Sequence, residues 1–87
     1  MISQAAPTMH VKVYAPFTTY FNGEANSLSA KNATGDFDVL PHHKNFMSLL
    51  IPCKIIIRAS GKPDYILPIT RGIVHVKADK TTVFLDV

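Results

Sequence analysis

Four histidines, a near pair of aspartates, one cysteine and a loose group of aromatic residues are the side chains of this 87-residue sequence with chemistry to offer. His42 and His43 follow Asp36 and Asp38, and with His10 and His75 they would form a metal site if the chain gathered them. Adjacent residues on a strand point to opposite faces, so His42 and His43 ligate together only from a turn, and no zinc-type ligand spacing follows. The sequence therefore reads as holding no metal and no cofactor. Catalysis has no better basis: Asp36 and Asp38 alternate with Phe37 and Val39, which turns both carboxylates outward side by side, and no serine or cysteine has a placed base. Cys53 stands alone, which excludes an internal disulfide and suits a small apolar core position.

Other short matches dissolve on inspection. Gly61-Lys62 lacks the earlier glycine, the following serine or threonine and the helix of a phosphate loop, and reads as a turn. Asn32-Ala33-Thr34 fits a glycosylation acceptor, but the N-terminal MISQAAPTM has neither the basic start nor the apolar middle of a secretory signal. No apolar run reaches the roughly 20 residues of a membrane-spanning helix. A cytoplasmic setting is expected. Net charge is +3, from nine basic and six acidic residues, and the basic ones are scattered singly. With Tyr14, Phe17, Tyr20 and Phe21 as stacking groups, that charge supports one binding alternative, a small basic β-barrel module for single-stranded nucleic acid.

The elements that must position these residues are strands. Met9, Val11, Val13 and Ala15 alternate with His10, Lys12 and Tyr14, and Pro16 ends the run. Asn22-Gly23 is the favoured pair for a two-residue hairpin turn. A weakly amphipathic run from Ala25 to Lys31 stops at Asn32-Ala33-Thr34-Gly35, and the Asp36–Val39 strand closes at Leu40-Pro41, where a missing amide hydrogen ends the ladder and lets the chain turn a corner. Phe46 to Ile51 and Ile55 to Ile57 are apolar on both faces. Beyond a turn at Ser60–Asp64 come strands over Tyr65–Ile69, Ile73–Lys77 and Thr81–Val87, the last two joined by Ala78-Asp79-Lys80. Helical periodicity is absent, and strands recurring at roughly 8–12 residues predict an all-β sandwich or barrel.

With 47% hydrophobic and 17% charged residues the chain is a folding sequence. Its size is small, of the class that hides only about 60% of its unfolded surface. A two-sheet sandwich needs one apolar face per strand, yet Ile56, Ile66, Val74 and Phe84 lie on the faces opposite Ile55 and Ile57, Leu67, Ile73 and Leu85 respectively. At roughly 25 cal/mol per Å² of apolar area, leaving such side chains wet is a loss that a partner would recover. A docking face is expected.

Four segments in order, HVKVYAP, YFNGEA, GDFDVLPHH and ITRGIVHVKADKTTVFLDV, resemble the N-terminal domain of the epsilon subunit of rotary F-type ATP synthases, over nearly the whole chain from Met9. The resemblance implies an N-terminal tail at residues 1–8 and, over 9–87, a flattened antiparallel β-sandwich of about ten short strands. It also implies a non-catalytic central-stalk role: peripheral to the cytoplasmic face of the bacterial inner membrane, the domain would grip the gamma subunit and rest on the c-ring, coupling proton-driven rotation to ATP synthesis. Carried over by position, Ala15, His43 and Ser48 face gamma, and Asp36 with its neighbour Asp38 faces the c-ring loops. The sequence departs from the pattern where Asp38 and His42 replace glycines, Lys44-Asn45 replaces a small residue and proline, and Arg71 replaces a small residue. The C-terminal helical hairpin typical of the family does not follow Val87, so neither inhibition nor nucleotide binding is expected of this sequence.

Overall fold

The computed structural model describes residues 7–85. All nine regular elements among them are strands: β1 Met9–Ala15, β2 Thr18–Ala25, β3 Ser27–Asn32, β4 Gly35–Val39, β5 Phe46–Leu50, β6 Cys53–Arg58, β7 Tyr65–Ile69, β8 Gly72–Lys77 and β9 Lys80–Leu85. The first six residues of the expected tail and the last two of the expected final strand lie outside the described residues. Sheet A has the order β2-β1-β9-β8-β5, and sheet B the order β4-β3-β6-β7. Among the described residues no helix is long and apolar enough to cross a membrane.

The chain changes sheet four times, and each crossing has its own local chemistry. Asn26 alone joins β2 to β3. Its backbone N–H donates to the Arg58 carbonyl at 2.7 Å, its side-chain amide donates to the Pro7 carbonyl at 2.9 Å, and its side-chain oxygen accepts from the Ser60 N–H at 2.6 Å and the Ser60 hydroxyl at 2.9 Å. A one-residue crossing is thus held by four hydrogen bonds. Leu40–Asn45 carries the chain from β4 to β5, Ile51-Pro52 from β5 to β6, and Thr70-Arg71 from β7 to β8. At the third crossing the Ile51 N–H donates to the Lys31 carbonyl.

Between the sheets, alternate residues of each strand close the core: Met9, Val11 and Val13 from β1, Leu28 and Ala30 from β3, Ile55 and Ile57 from β6, Val74 and Val76 from β8, and Val83 and Leu85 from β9. Aromatic rings fill the two flanks. Phe21 on β2 meets Tyr65 on β7 at 5.5 Å between ring centroids, and Phe37 on β4 meets Phe46 on β5 edge-to-face at 5.7 Å. No buried side-chain nitrogen or oxygen among the described residues lacks a partner. On β7, which is an edge strand, Pro68 is tolerated because its missing donor faces no ladder.

Several sequence expectations are corrected. Asn22-Gly23 is not a turn: it lies within β2, with Asn22 opposite Lys12 and Gly23 opposite Val11. The reversal occurs instead at Pro16-Phe17, between the paired Ala15 and Thr18. Proline presets φ for the first central position of a turn, and that preference wins over the Asn-Gly pair. A Cβ at position 23 would meet the Phe21 ring at 3.9 Å, an ordinary contact, so neither a turn nor close packing requires glycine there. The sandwich is not wholly antiparallel either, because β9 enters sheet A beside β1 and runs parallel to it. In β8 the faces are the reverse of those expected, with Val74 buried and Ile73 outside.

Gly72 marks the return of the chain into sheet A. A Cβ there would lie 2.8 Å from the Phe84 carbonyl oxygen and 3.0 Å from Leu85 Cδ2, so β8 and β9 approach too closely for any side chain. Gly72→Ala is expected to cost about 1–3 kcal/mol in urea unfolding, because a backbone atom, unlike a side-chain tip, cannot swing aside.

Candidate docking surface

The outer face of sheet A is built by register. Leu49 lies opposite Ile73, Ile73 opposite Phe84, and Phe84 opposite Tyr14, so one residue from each of β5, β8, β9 and β1 forms a continuous apolar row across four strands. Leu49 is 71% exposed, Ile73 39% and Phe84 37%, and Met47 in the next row is 65% exposed. The Tyr14 and Phe84 rings touch, with centroids 5.1 Å apart. Leu49, Leu50, Ile73 and Phe84, with Gly72 and Arg71 at the rim, line an open groove of about 400 Å³. Two residues further along each strand the row becomes Met47, His75, Thr82, Lys12 and Asn22, and two further still it is Lys77, Lys80, His10 and Glu24. The face therefore grades from apolar at one end to charged at the other.

The outer face of sheet B is different in kind. Asp36 and Asp38 both point to solvent from edge strand β4, as the alternation predicted, opposite Lys31 and Ser29. They are not equivalent. The Ser29 hydroxyl donates to Asp38 Oδ1 at 2.6 Å and accepts from Arg58 Nη1 at 2.7 Å, while Arg58 Nε stands 3.9 Å from Asp64. Asp38 is thus engaged within the sheet, whereas Asp36 has no ion pair among the described residues. Both aspartates line a shallow depression of about 480 Å³ with Lys31, Cys53 and Lys54.

The remaining site residues of the sequence reading are dispersed. Ala15 is buried at the end of β1, beside the Pro16-Phe17 turn. Ser48 is half-buried on β5 and faces sheet B, where Asn32 Nδ2 donates to its hydroxyl at 3.1 Å. His43 lies at the opposite end from Ala15, in the corner. Its Nδ1–H donates to the Lys44 carbonyl at 2.7 Å, and its ring packs on Phe46 at 5.0 Å. No group of three or more metal-ligating side chains occurs among the described residues. The aromatics proposed for base stacking also separate: Tyr14 faces out of sheet A, Phe21 faces in against Tyr65, and Phe17 stands fully exposed at a turn tip.

Leu49, Ile73 and Met47 were not singled out from the sequence as surface residues. Alternation shows that each strand has two apolar faces, but only cross-strand pairing shows which of those faces coincide.

The corner loop turns at a residue other than glycine. The His43 N–H donates to the Leu40 carbonyl at 3.1 Å, Pro41 and His42 are the central residues, and His42 has φ 67°, which makes a type II turn with a histidine where glycine is favoured. The β8–β9 turn holds it. Asp79 Oδ1 accepts the His42 N–H at 2.9 Å, and Asn45 Oδ1 accepts the Ala78 N–H at 2.9 Å, Ala78 itself having φ 55°. His42→Gly is expected to raise stability by about 1 kcal/mol by relieving the left-handed strain. Asp79→Ala is expected to lower it by about 1 kcal/mol, and thermal unfolding of the two variants checks both signs.

Comparison with known proteins accords with the β-sandwich fold. Residues 8–87 match the family model for the β-sandwich domain of the ATP synthase delta/epsilon chain. The ATP synthase epsilon chain of Laribacter hongkongensis is 32% identical over 81 residues, covering 92% of this chain and 58% of the relative. That of Neisseria gonorrhoeae is 30% identical over 80 residues, covering 91% and 57%. The chain thus spans a little over half the length of these relatives. Among solved structures, a chain of the Euglena gracilis mitochondrial ATP synthase superposes with a TM-score of 0.83 at 14% identity, covering 94% of this chain and 53% of that one. A chain of the Tetrahymena thermophila mitochondrial ATP synthase central stalk and c-ring gives 0.76 at 19% identity, covering 94% and 66%. At such identities the two structures establish the fold alone.

Proposed function

Since the chain belongs to the ATP synthase delta/epsilon chain family through its β-sandwich domain, we propose that it acts as a non-catalytic, epsilon-like central-stalk subunit. In this reading it docks on gamma and on the c-ring of a rotary F-type ATP synthase. The observation that carries the proposal is the apolar row Leu49, Ile73, Phe84 and Tyr14, side chains that a small domain leaves in water until a partner covers them. Gamma covers that face. Ala15 and Ser48 serve the contact from beneath, Ala15 buried next to Tyr14 on β1 and Ser48 half-buried next to Leu49 on β5. His43 extends the contact to the corner.

The c-ring meets the opposite sheet. Asp36, free of any ion pair among the described residues, offers its carboxylate to cationic groups of the ring loops, while Asp38 stiffens the strand through Ser29. Contacts on two opposite faces suit a part that passes torque from ring to gamma at the cytoplasmic face of a bacterial membrane. Close packing supplies the stiffness this needs. No step in that role requires a cofactor or a bond to be made.

Co-expression with gamma of the same organism is expected to give a one-to-one complex in gel filtration. Its absence at micromolar concentration would remove the proposal. Leu49→Asp combined with Ile73→Asp is expected to weaken that complex by about 100-fold or more, in the manner of a lost apolar centre of an interface, with the thermal midpoint little changed. Asp36→Lys is expected to leave gamma binding intact and to release the gamma complex from the c-ring; unchanged ring binding would count against the assignment of Asp36.

A further inference from the structure

The charged end of sheet A contains an arrangement that costs the domain stability. Lys77 and Lys80 are a directly opposed cross-strand pair at the β8–β9 turn, and Lys80 is in turn opposite His10. Like charges directly opposite on neighbouring strands are destabilising. The nearby acids form no ion pair with them. Glu24 is taken by His10 Nδ1 at 3.1 Å and by the Thr8 hydroxyl at 2.9 Å, Asp79 by the His42 N–H, and neither lysine has an ion pair among the described residues. Lys12, one row away, lies with its ammonium 4.9 Å from the Tyr14 ring centroid and extends the positive field toward the apolar row.

We propose that Lys77 and Lys80, with Lys12 beside them, receive acidic side chains of the same partner element that covers the apolar row, so that the partner carries carboxylates at one end of its contact and apolar groups at the other. The inference rests on the docking proposed above and adds the chemistry of the partner. Ile73 and Lys77 are four residues apart on one strand, which separates the two kinds of contact by about 13 Å. A single helix of about nine residues spans that distance. Charge at the end of the face fixes which way round the partner lies, a task that an apolar row alone performs poorly.

The test uses the complex of this chain with gamma from the same organism. Carbodiimide treatment is expected to join Lys77 or Lys80 to aspartate or glutamate of the partner, identified by mass spectrometry. The double variant Lys77→Gln, Lys80→Gln is expected to bind about tenfold more weakly at low salt, and to match the unsubstituted protein at 0.5 M salt, where screening reaches within roughly 4 Å. Its own thermal midpoint is expected to rise by about 2–5 °C, since the like-charge pair is gone. An intact complex with unchanged affinity and salt dependence in the variant overturns the inference and leaves the docking proposal standing, whereas no complex with the unsubstituted chain overturns both. Oligonucleotide binding that disappears in the variant, with gamma affinity unchanged, would assign the lysines to phosphate and overturn it too.

Discussion

The register in which β8 lies between β5 and β9 governs nearly every surface property of this domain. Side chains alternate with period two, so a slip of one residue would turn Val74 and Val76 outward and bring Ile73, His75 and Lys77 into the core. The register is fixed at both ends of the strand. At one end the bare backbone of Gly72 packs against the Phe84 carbonyl, and at the other Asn45 and Asp79 tie the β8–β9 turn to the corner loop. Because the pairing is held there, Leu49, Ile73, Phe84 and Tyr14 align into one row. Docking face and charge gradient are both consequences of that alignment.

Much of the architecture was legible in the sequence because its signals are local. Alternation gave the strands, Leu40-Pro41 the end of β4, and Asp36 and Asp38 their outward direction. The errors arose where pairing decides. Asn22-Gly23 is a strong turn signal in isolation, yet the chain had already reversed at Pro16-Phe17, and a β2 strand already paired with β1 cannot turn again. Ile73 and Val74 are of similar apolar character, so no property of either residue tells which faces the core; the Val74–Val83 pairing on the buried side does. The crossings were least visible of all, since Asn26 achieves its effect through contacts with Arg58, Ser60 and Pro7, all distant in sequence.

The corner loop and the β8–β9 turn are joined by side chains. His42 in a left-handed conformation, Asn45 and the acidic Asp79 meet in one cluster, where Asp79 stabilises the strained turn and Asn45 caps the neighbouring one. A turn position that favours glycine is thereby held by a histidine, anchored by side chains in place of backbone freedom. The corner is consequently tied to the charged end of sheet A, and His43 is held over Phe46 as part of the same unit. Surface and corner form one mechanical piece.

The parallel pairing of β1 with β9 has a consequence for how the molecule comes into being. Of the nine described strands, the last in chain order occupies the middle of its sheet, between the hairpin of the first two and the strand immediately before it. Until β9 has left the ribosome, β1–β2 and β8–β5 have no common neighbour, and Val11 and Val13 face a gap. Two of the four ladders of sheet A thus wait on β9, and one of them joins the first and last described strands, a non-local pairing of the slow, high-contact-order kind.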